Sequence, residues 1–166
     1  HPSALTAYCK HLHGKRSSLY RMRIAVLSDT HSRLPIHLAR EISGADEIWH
    51  LGDVTEESCL EPLCALGRPL LVVRGNCDYT AHWPLTLDLQ REGFSIRLIH
   101  IPPLVAPPGV DLLLHGHTHV PRNERIGATR FLNPGTVGKP NRGAPTSYAW
   151  LELLRGAPPK WEIVRV

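Results

Sequence analysis

No stretch of this chain stays apolar for the roughly 18–20 residues that a membrane-spanning helix requires. Cysteine is scarce as well, with four residues, Cys9, Cys59, Cys64 and Cys77, and no C-x-x-C pair. This spacing does not suit the disulfide framework of a small secreted domain or the thiolate cluster of a structural zinc site, and it points to a reducing, cytoplasmic compartment. Cys59 and Cys64 fall in a leucine-containing helical stretch and are expected to be small buried hydrophobes. Acids are missing from residues 1–21, which hold Lys10, Lys15, Arg16 and Arg21. That share leaves 15 basic against 15 acidic residues from Met22 onward, although the whole chain is formally +4. A body without a Lys/Arg surplus is poorly equipped to neutralise a phosphate backbone, so nucleic acid is not favoured as a partner. Methionine occurs once, at Met22, immediately ahead of the first clear strand. Residues 1–21 are therefore expected to be an N-terminal extension, non-native or non-catalytic, and 22–166 a single domain.

The hydrophobic content is 42%, enough for a real core, and it is arranged with unusual regularity. Five short apolar runs each end in residues that bind hard or borderline cations. IAVL leads into Asp29 and His31, EIWHL into Gly52-Asp53, and LLVV into Gly75-Asn76-Cys77-Asp78. SIRLI leads into His100, and DLLL into His115-Gly116-His117-Thr118-His119. Loops at the carboxyl ends of neighbouring strands open into one crevice, so residues far apart in sequence can be neighbours in space. Asp29, His31, Asp53, Asn76, His100, His117 and His119 form an oxygen/nitrogen donor set suited to Mn, Fe, Ni, Co or Zn. Seven donors exceed the needs of one ion, but fit two ions about 3.5–4 Å apart sharing a carboxylate. His50 lies inside its run and is expected to be packed or hydrogen-bonded. His37 and His82 belong to no such pattern and are expected at the surface.

Strand alternates with helix through the first half. Arg23–Leu27, Glu47–Leu51 and Leu70–Val73 read as parallel strands separated by a helix carrying Leu34, Leu38 and Ile42 and by a second helix over 58–66 that Pro62 shortens or kinks. The second half is rich in strands, at 85–90, 94–99, 112–114, 122–126, 129–132, 148–153 and 161–166, with hairpins at Gly93 and Gly127. Four prolines between Ile101 and Gly109 exclude a regular helix there. The expected fold is α/β: a two-sheet β-sandwich flanked by helices, βαβαβ in its first half.

The ordered set Asp29-x-His31, Gly52-Asp53, Gly75-Asn76-Cys77-Asp78, His100, Gly116-His117-Thr118-His119 and Asn133-Pro134-Gly135 resembles the calcineurin-like metallophosphoesterases. Within them it is most similar to the small YfcE-type phosphodiesterases, over essentially Met22–Val166. The resemblance implies two divalent ions per chain, manganese favoured, with Ni, Co, Fe or Zn as alternatives. It implies that Asp29, His31 and His119 hold the first, that Asn76, His100 and His117 hold the second, and that Asp53 bridges them. It further implies a dinuclear phosphodiesterase in which hydroxide between the ions attacks phosphorus in line, with Asn76 neutralising developing charge.

Two departures stand out. Cys77 occupies a position where many relatives carry histidine, and beside cations its thiol should drift toward thiolate, making it a poor proton donor. Diesters or activated esters then suit the site better than alkyl monoesters, with Asp78 or water as other donors and a space-filling role for Cys77 equally open. The second is the proline loop after His100, which stands where the family carries a helical stretch. Arg33, Arg74 and Arg122 lie beside motifs and are expected to be solvated or salt-bridged rather than phosphate-binding. The expected substrate is a small phosphodiester or a nucleotide-like molecule, and a homo-oligomer is left open. The rival readings are a retromer-subunit-like interaction scaffold with a vestigial metal site, and a nuclease or nucleotide phosphatase on the same residues.

Overall fold

Alternation along the first strand sets the architecture. The computed structural model describes residues 20–79, 82–141 and 143–166. The expectations for the N-terminal extension up to residue 19, including Cys9, lie outside the described residues. Strand β1 (Met22–Leu27) sends Met22, Ile24 and Val26 to one side and Ala25 and Leu27 to the other, all buried. A strand apolar on both faces belongs in the middle of a layered protein, and β1 is the central strand of its sheet.

That sheet joins β1 to β2 (Glu47–His50) and β3 (Leu70–Val72) in parallel, and to β9 (Ser147–Leu153) and β10 (Lys160–Arg165) antiparallel, in the order β10-β9-β1-β2-β3. The second sheet has the order β4-β5-β6-β8-β7. Its strands are β4 (Thr86–Arg91), β5 (Phe94–Ile99), β6 (Leu112–Leu114), β7 (Arg122–Ile126) and β8 (Thr129–Asn133). Hairpins β4–β5 and β7–β8 flank a parallel centre of β5, β6 and β8. Ile24, Val26, Trp49 and Leu151 meet Ile96, Leu98, Leu112 and Leu132 in one cluster between the sheets.

The helices are shorter than the sequence predicts. The first, α1, is only Leu38–Glu41, because Pro35 disfavours helical geometry at Leu34 and helical turns begin beyond it. Leu38 and Ile42 still cover the first sheet, fully buried against Ala25, Leu27 and Ile48. The second breaks into a 3-10 turn at Glu57–Leu60 and α2 at Glu61–Cys64, with Pro62 in the first turn, where its missing N–H costs nothing. Leu60 and Leu63 are the buried residues of this segment. Cys64 is exposed and Cys59 half-buried, so neither is the fully buried hydrophobe expected of it: α2 turns Leu63 inward and Cys64 outward.

No helix of the described residues is long and apolar enough to cross a membrane. On the outer face of the second sheet, Leu113 and Phe131 are covered by Val110, with Ile99, Ala106 and Ile126 packed around them. The proline loop thus supplies a lid of its own, and it leaves Leu104 and Val105 exposed, at 97% and 76%.

Candidate metal centre

The loops after β1, β2, β3, β5 and β6 gather at one end of the two parallel strand sets, and all seven expected donors stand on them. Asp29, at the exit of β1, is fully buried. Its Oδ2 accepts hydrogen bonds from Ser28 Oγ (2.6 Å) and His117 N (3.1 Å). Its Oδ1 is buried and has no hydrogen-bond partner. An ionised oxygen without a partner in the interior is costly, and this one faces three imidazoles: His119 Nε2 at 3.1 Å, His31 Nε2 at 3.9 Å and His100 Nε2 at 3.9 Å. Asp53 is arranged similarly. Its Oδ1 accepts from Cys77 N at 2.8 Å, while Oδ2 lies 3.2 Å from His100 Nε2 and 3.8 Å from His31 Nε2, facing both sides of the cluster.

The rings are aimed from behind. His100 Nδ1–H donates to Leu51 O (2.7 Å), and His119 Nδ1–H to Lys139 O (2.8 Å). In the neutral ring each Nε2 then carries a lone pair pointed at carboxylate oxygens, the orientation in which histidine serves a cation. His31 Nε2 and His119 Nε2 converge to 3.2 Å. Asn76 Oδ1 is 3.0 Å from both His100 Nε2 and His117 Nδ1. Lone pairs and anionic oxygens at these distances repel one another unless positive charge lies among them. Two groupings have donor atoms within 4.8 Å of one another: Asp29, His31 and His119, and Asp29, Asp53 and His100. A third joins His31, Asp53 and Cys77. Exposed His117 stands in none of these and joins the cluster through Asn76. The donor set and the orphaned Asp29 oxygen therefore fit divalent cations.

Charge within the cluster follows the same geometry. The Asp29 carboxylate, 3.1 Å from its Nε2, favours the protonated His119 ring and raises its pKa against the opposing effect of burial. Burial pulls His100 down, but Asp53 and Asp29 outweigh it and the net shift is upward. At His31 burial wins over the two carboxylates and the pKa falls. Burial works against ionisation of Asp53, but the bonds from His100 and Cys77 prevail and hold its carboxyl at about 2. Burial and the Asp53 carboxylate push the Cys77 thiol up, opposite to the drift expected from cations alone.

Backbone conformation is specialised here. Of the eight described non-glycine residues with positive φ, seven lie in these loops: Asp29, His31, Ser32, Asp53, Thr55, His117 and His119, at 45° to 71°. Left-handed backbone is unfavourable for side-chain-bearing residues and persists where surrounding bonds enforce it. Several enforcers escaped the sequence reading. Asp78, weighed only as a proton donor, accepts from the backbone N–H groups of Asp53 (2.9 Å), Thr55 (2.8 Å) and Gly75 (2.8 Å), tying the β2 and β3 loops together. Asn133 Nδ2 donates to Gly116 O and Thr118 Oγ1, both at 3.1 Å, bracing the His117–His119 turn. Thr136 Oγ1 donates to Asp29 O at 2.9 Å. The signal for Asn133 and Thr136 was their Asn-Pro-Gly-Thr turn, legible as a rigid turn but not as a brace. Close approach completes the fit: a Cβ at Gly75 would sit 2.1 Å from Asp53 Oδ1, and one at Gly116 2.0 Å from Ser28 Oγ.

His50 is buried and hydrogen-bonded, away from the donor groupings. Gly52 N–H donates to its Nδ1 (3.1 Å), so the neutral ring carries its proton on Nε2 and bonds Thr30 Oγ1. Arg122 is salt-bridged to Glu124 at 2.7 Å and lies over the Phe131 ring. His37 and His82 are exposed.

The chain has relatives among known proteins. Residues 22–156 match the model of the calcineurin-like phosphoesterase superfamily domain. A probable metallophosphoesterase of Methanocaldococcus jannaschii is 34% identical over 136 residues, covering 72% of this chain and 70% of that protein. Phosphodiesterase YfcE of Escherichia coli K12 is 31% identical over 163 residues, covering 79% of this chain and 88% of its own length. Among solved structures, the E. coli phosphoesterase YfcE superposes with a TM-score of 0.65 at 28% identity, covering 80% and 92% of the two chains. Vacuolar protein sorting 29 of Cryptosporidium parvum shares the fold, with a TM-score of 0.68 at 21% identity over 87% and 97%.

Proposed function

This chain belongs to the calcineurin-like phosphoesterase superfamily, and from that premise we propose that it is a dinuclear metal-dependent phosphodiesterase acting on a small diester. The observation that carries the reading is the orphaned Oδ1 of buried Asp29, met by converging imidazole nitrogens. Asp29, His31 and His119 would hold one ion and Asn76, His100 and His117 a second, with Asp53 between them; manganese is the favoured metal. Bound there, divalent ions supply Lewis acidity, polarising the phosphoryl group and making water a competent nucleophile near neutral pH.

The chain's own residues do the rest. Asp53, held ionised at about 2, presents Oδ2 toward both halves of the donor set throughout the working pH range. Asn76 turns its carbonyl oxygen to His100 and His117, which leaves its Nδ2 amide, 3.5 Å from Cys77 Sγ, to donate to a phosphoryl oxygen as charge builds up. The carbonyls of Leu51 and Lys139 fix ring orientation, so alignment costs little at the moment of reaction. Beside cations a thiol drifts toward thiolate and is a poor proton donor, so Cys77 gives little help to a poor leaving group, which favours diesters with good ones.

The test is hydrolysis of an aryl phosphodiester and its matching monoester by chelator-stripped protein, with Mn, Ni, Co, Zn or Mg restored in turn. Diester turnover that returns with metal and disappears in Asp53→Asn is expected. A chain that binds two ions yet hydrolyses neither ester overturns the proposal. One observation favours a second reading, a protein-interaction scaffold: Leu104, Val105 and half-exposed Ile101 all stand exposed on the proline loop. Silence toward both esters with every metal would move the assignment there.

A further inference from the structure

A cleft beside the donor cluster is lined by His31, Arg33, Gly138 and Lys139. Arg33 and Lys139 are exposed, and neither has a carboxylate partner among the described residues, unlike Arg21, Arg91, Arg97 and Arg122, which pair with Glu152, Glu47, Asp88 and Glu124. Their backbones are fixed with care. Arg33 N donates to Thr30 O at 2.8 Å, just after left-handed Ser32. Lys139 N donates to Thr136 Oγ1 at 3.0 Å, and its carbonyl receives the His119 ring proton. Between them Gly138 lies so close to the Thr30 carbonyl that a Cβ would fall 2.0 Å from its oxygen. Arg33 therefore shares a loop with His31 and Lys139 is hydrogen-bonded through its carbonyl to His119, and the positive charge of Lys139 is felt at the His31 ring.

We propose that this cleft is a subsite for a second phosphate carried by the substrate, so that the enzyme prefers phosphodiesters bearing a terminal phosphate monoester. The inference rests on the phosphodiesterase reading. A diester has one negative charge, which the donor cluster's cations address, and it leaves nothing to occupy a guanidinium and an ammonium beside them. A terminal phosphate is close to dianionic at neutral pH and offers three oxygens. A guanidinium fork takes two of these in parallel, and an ammonium meets the remainder as a point charge. Fixed mounting matters because the gain from a remote charged group reaches the reacting phosphorus only if the two sites are held at constant separation.

The test compares p-nitrophenyl esters differing only in the second phosphate. One pair is thymidine 5′-(p-nitrophenyl phosphate) with and without a 3′-phosphate; the other is the corresponding glycerol pair. With metal restored, the phosphorylated member of either pair should show kcat/KM about tenfold higher, and Arg33→Gln or Lys139→Gln should collapse that ratio toward one. Thymidine 3′,5′-bisphosphate binding, read by calorimetry, should weaken about tenfold in the same variants. Preference in both arms assigns the cleft to the phosphate itself, and preference in the nucleoside arm alone assigns it to a phosphorylated nucleoside. Equal turnover of both members in both pairs, or a ratio untouched by the substitutions, overturns the subsite while leaving the phosphodiesterase standing. Turnover of none of the four esters overturns both.

Discussion

Asp78 shows how much of the centre depends on side chains that do not face it. Its carboxylate receives three backbone N–H groups, and hydrogen bonds to a charged acceptor are each worth about 1.5–3 kcal/mol. Asp78→Asn keeps the shape but turns one oxygen into a donor facing N–H groups. It should cost about 2 kcal/mol in denaturant unfolding and loosen metal binding by at least tenfold, read by metal titration. Cys77 provides the contrast. Its backbone N–H bonds Asp53 Oδ1 at 2.8 Å and survives removal of the side chain, so Cys77→Ala should keep both metal content and most diester turnover. A large fall in kcat with the metals in place would instead give the thiol a chemical role. His100 and His119 set the acid limit. Carboxylates raise both pKa values, and a protonated ring cannot ligate, so metal affinity should weaken progressively as pH falls. Metal retained after dialysis between pH 8 and 5 measures this directly.

At the level of elements, strand and loop were easier to read than helix. Short apolar runs buried on both faces made β1 and β9 plain, and each parallel strand of the first sheet ended where its run gave way to Asp29, Asp53 or Asn76. The first helix was overextended because Leu34, Leu38 and Ile42 keep a helical spacing whether or not the backbone between them is helical. Leu34 packs against the core from a non-helical segment. Asp29 and His31 could be recognised as donors from type and order, but the brace that Thr136 places on the Asp29 carbonyl spans 107 positions, and the turn carrying it gives no sign of where it reaches. His50 ties the β1 and β2 exits together and makes a further prediction. Burial holds its pKa at about 4 against 6.5 when unfolded, so the unfolded chain takes up the proton first. The stability associated with this group is complete above pH 6.5 and is lost between 6.5 and 4, by roughly 3 kcal/mol. Buried His115, also lowered to about 4, acts in the same direction. Unfolding followed across that interval should show the loss, with a smaller one in His50→Gln.

In the whole molecule, two parallel strand sets from different sheets deliver their carboxyl ends to one place, so the centre belongs to neither sheet alone. Loading it should stabilise the entire fold, since an ion that binds only the native state adds RT ln(1 + [L]/Kd). At a hundredfold excess over Kd that is about 2.7 kcal/mol per site, or roughly 5–10 °C in melting temperature for a chain of this size. Chelation should lower the midpoint by this amount and Asp53→Asn should abolish the difference. An unchanged midpoint would mean that the ions bind too weakly to matter for folding.

The left-handed backbone at Asp29, His31, Asp53, His117 and His119 also restricts which residues can ever replace them. Asparagine, aspartate, histidine and glycine tolerate such angles; valine, isoleucine and threonine strain them. The replacement alphabet at these positions is therefore short, for reasons independent of chemistry. A descendant that abandoned metal altogether would still be pressed to write Asn or Gly there, and its former trade would remain spelled in the geometry after the ligands had gone.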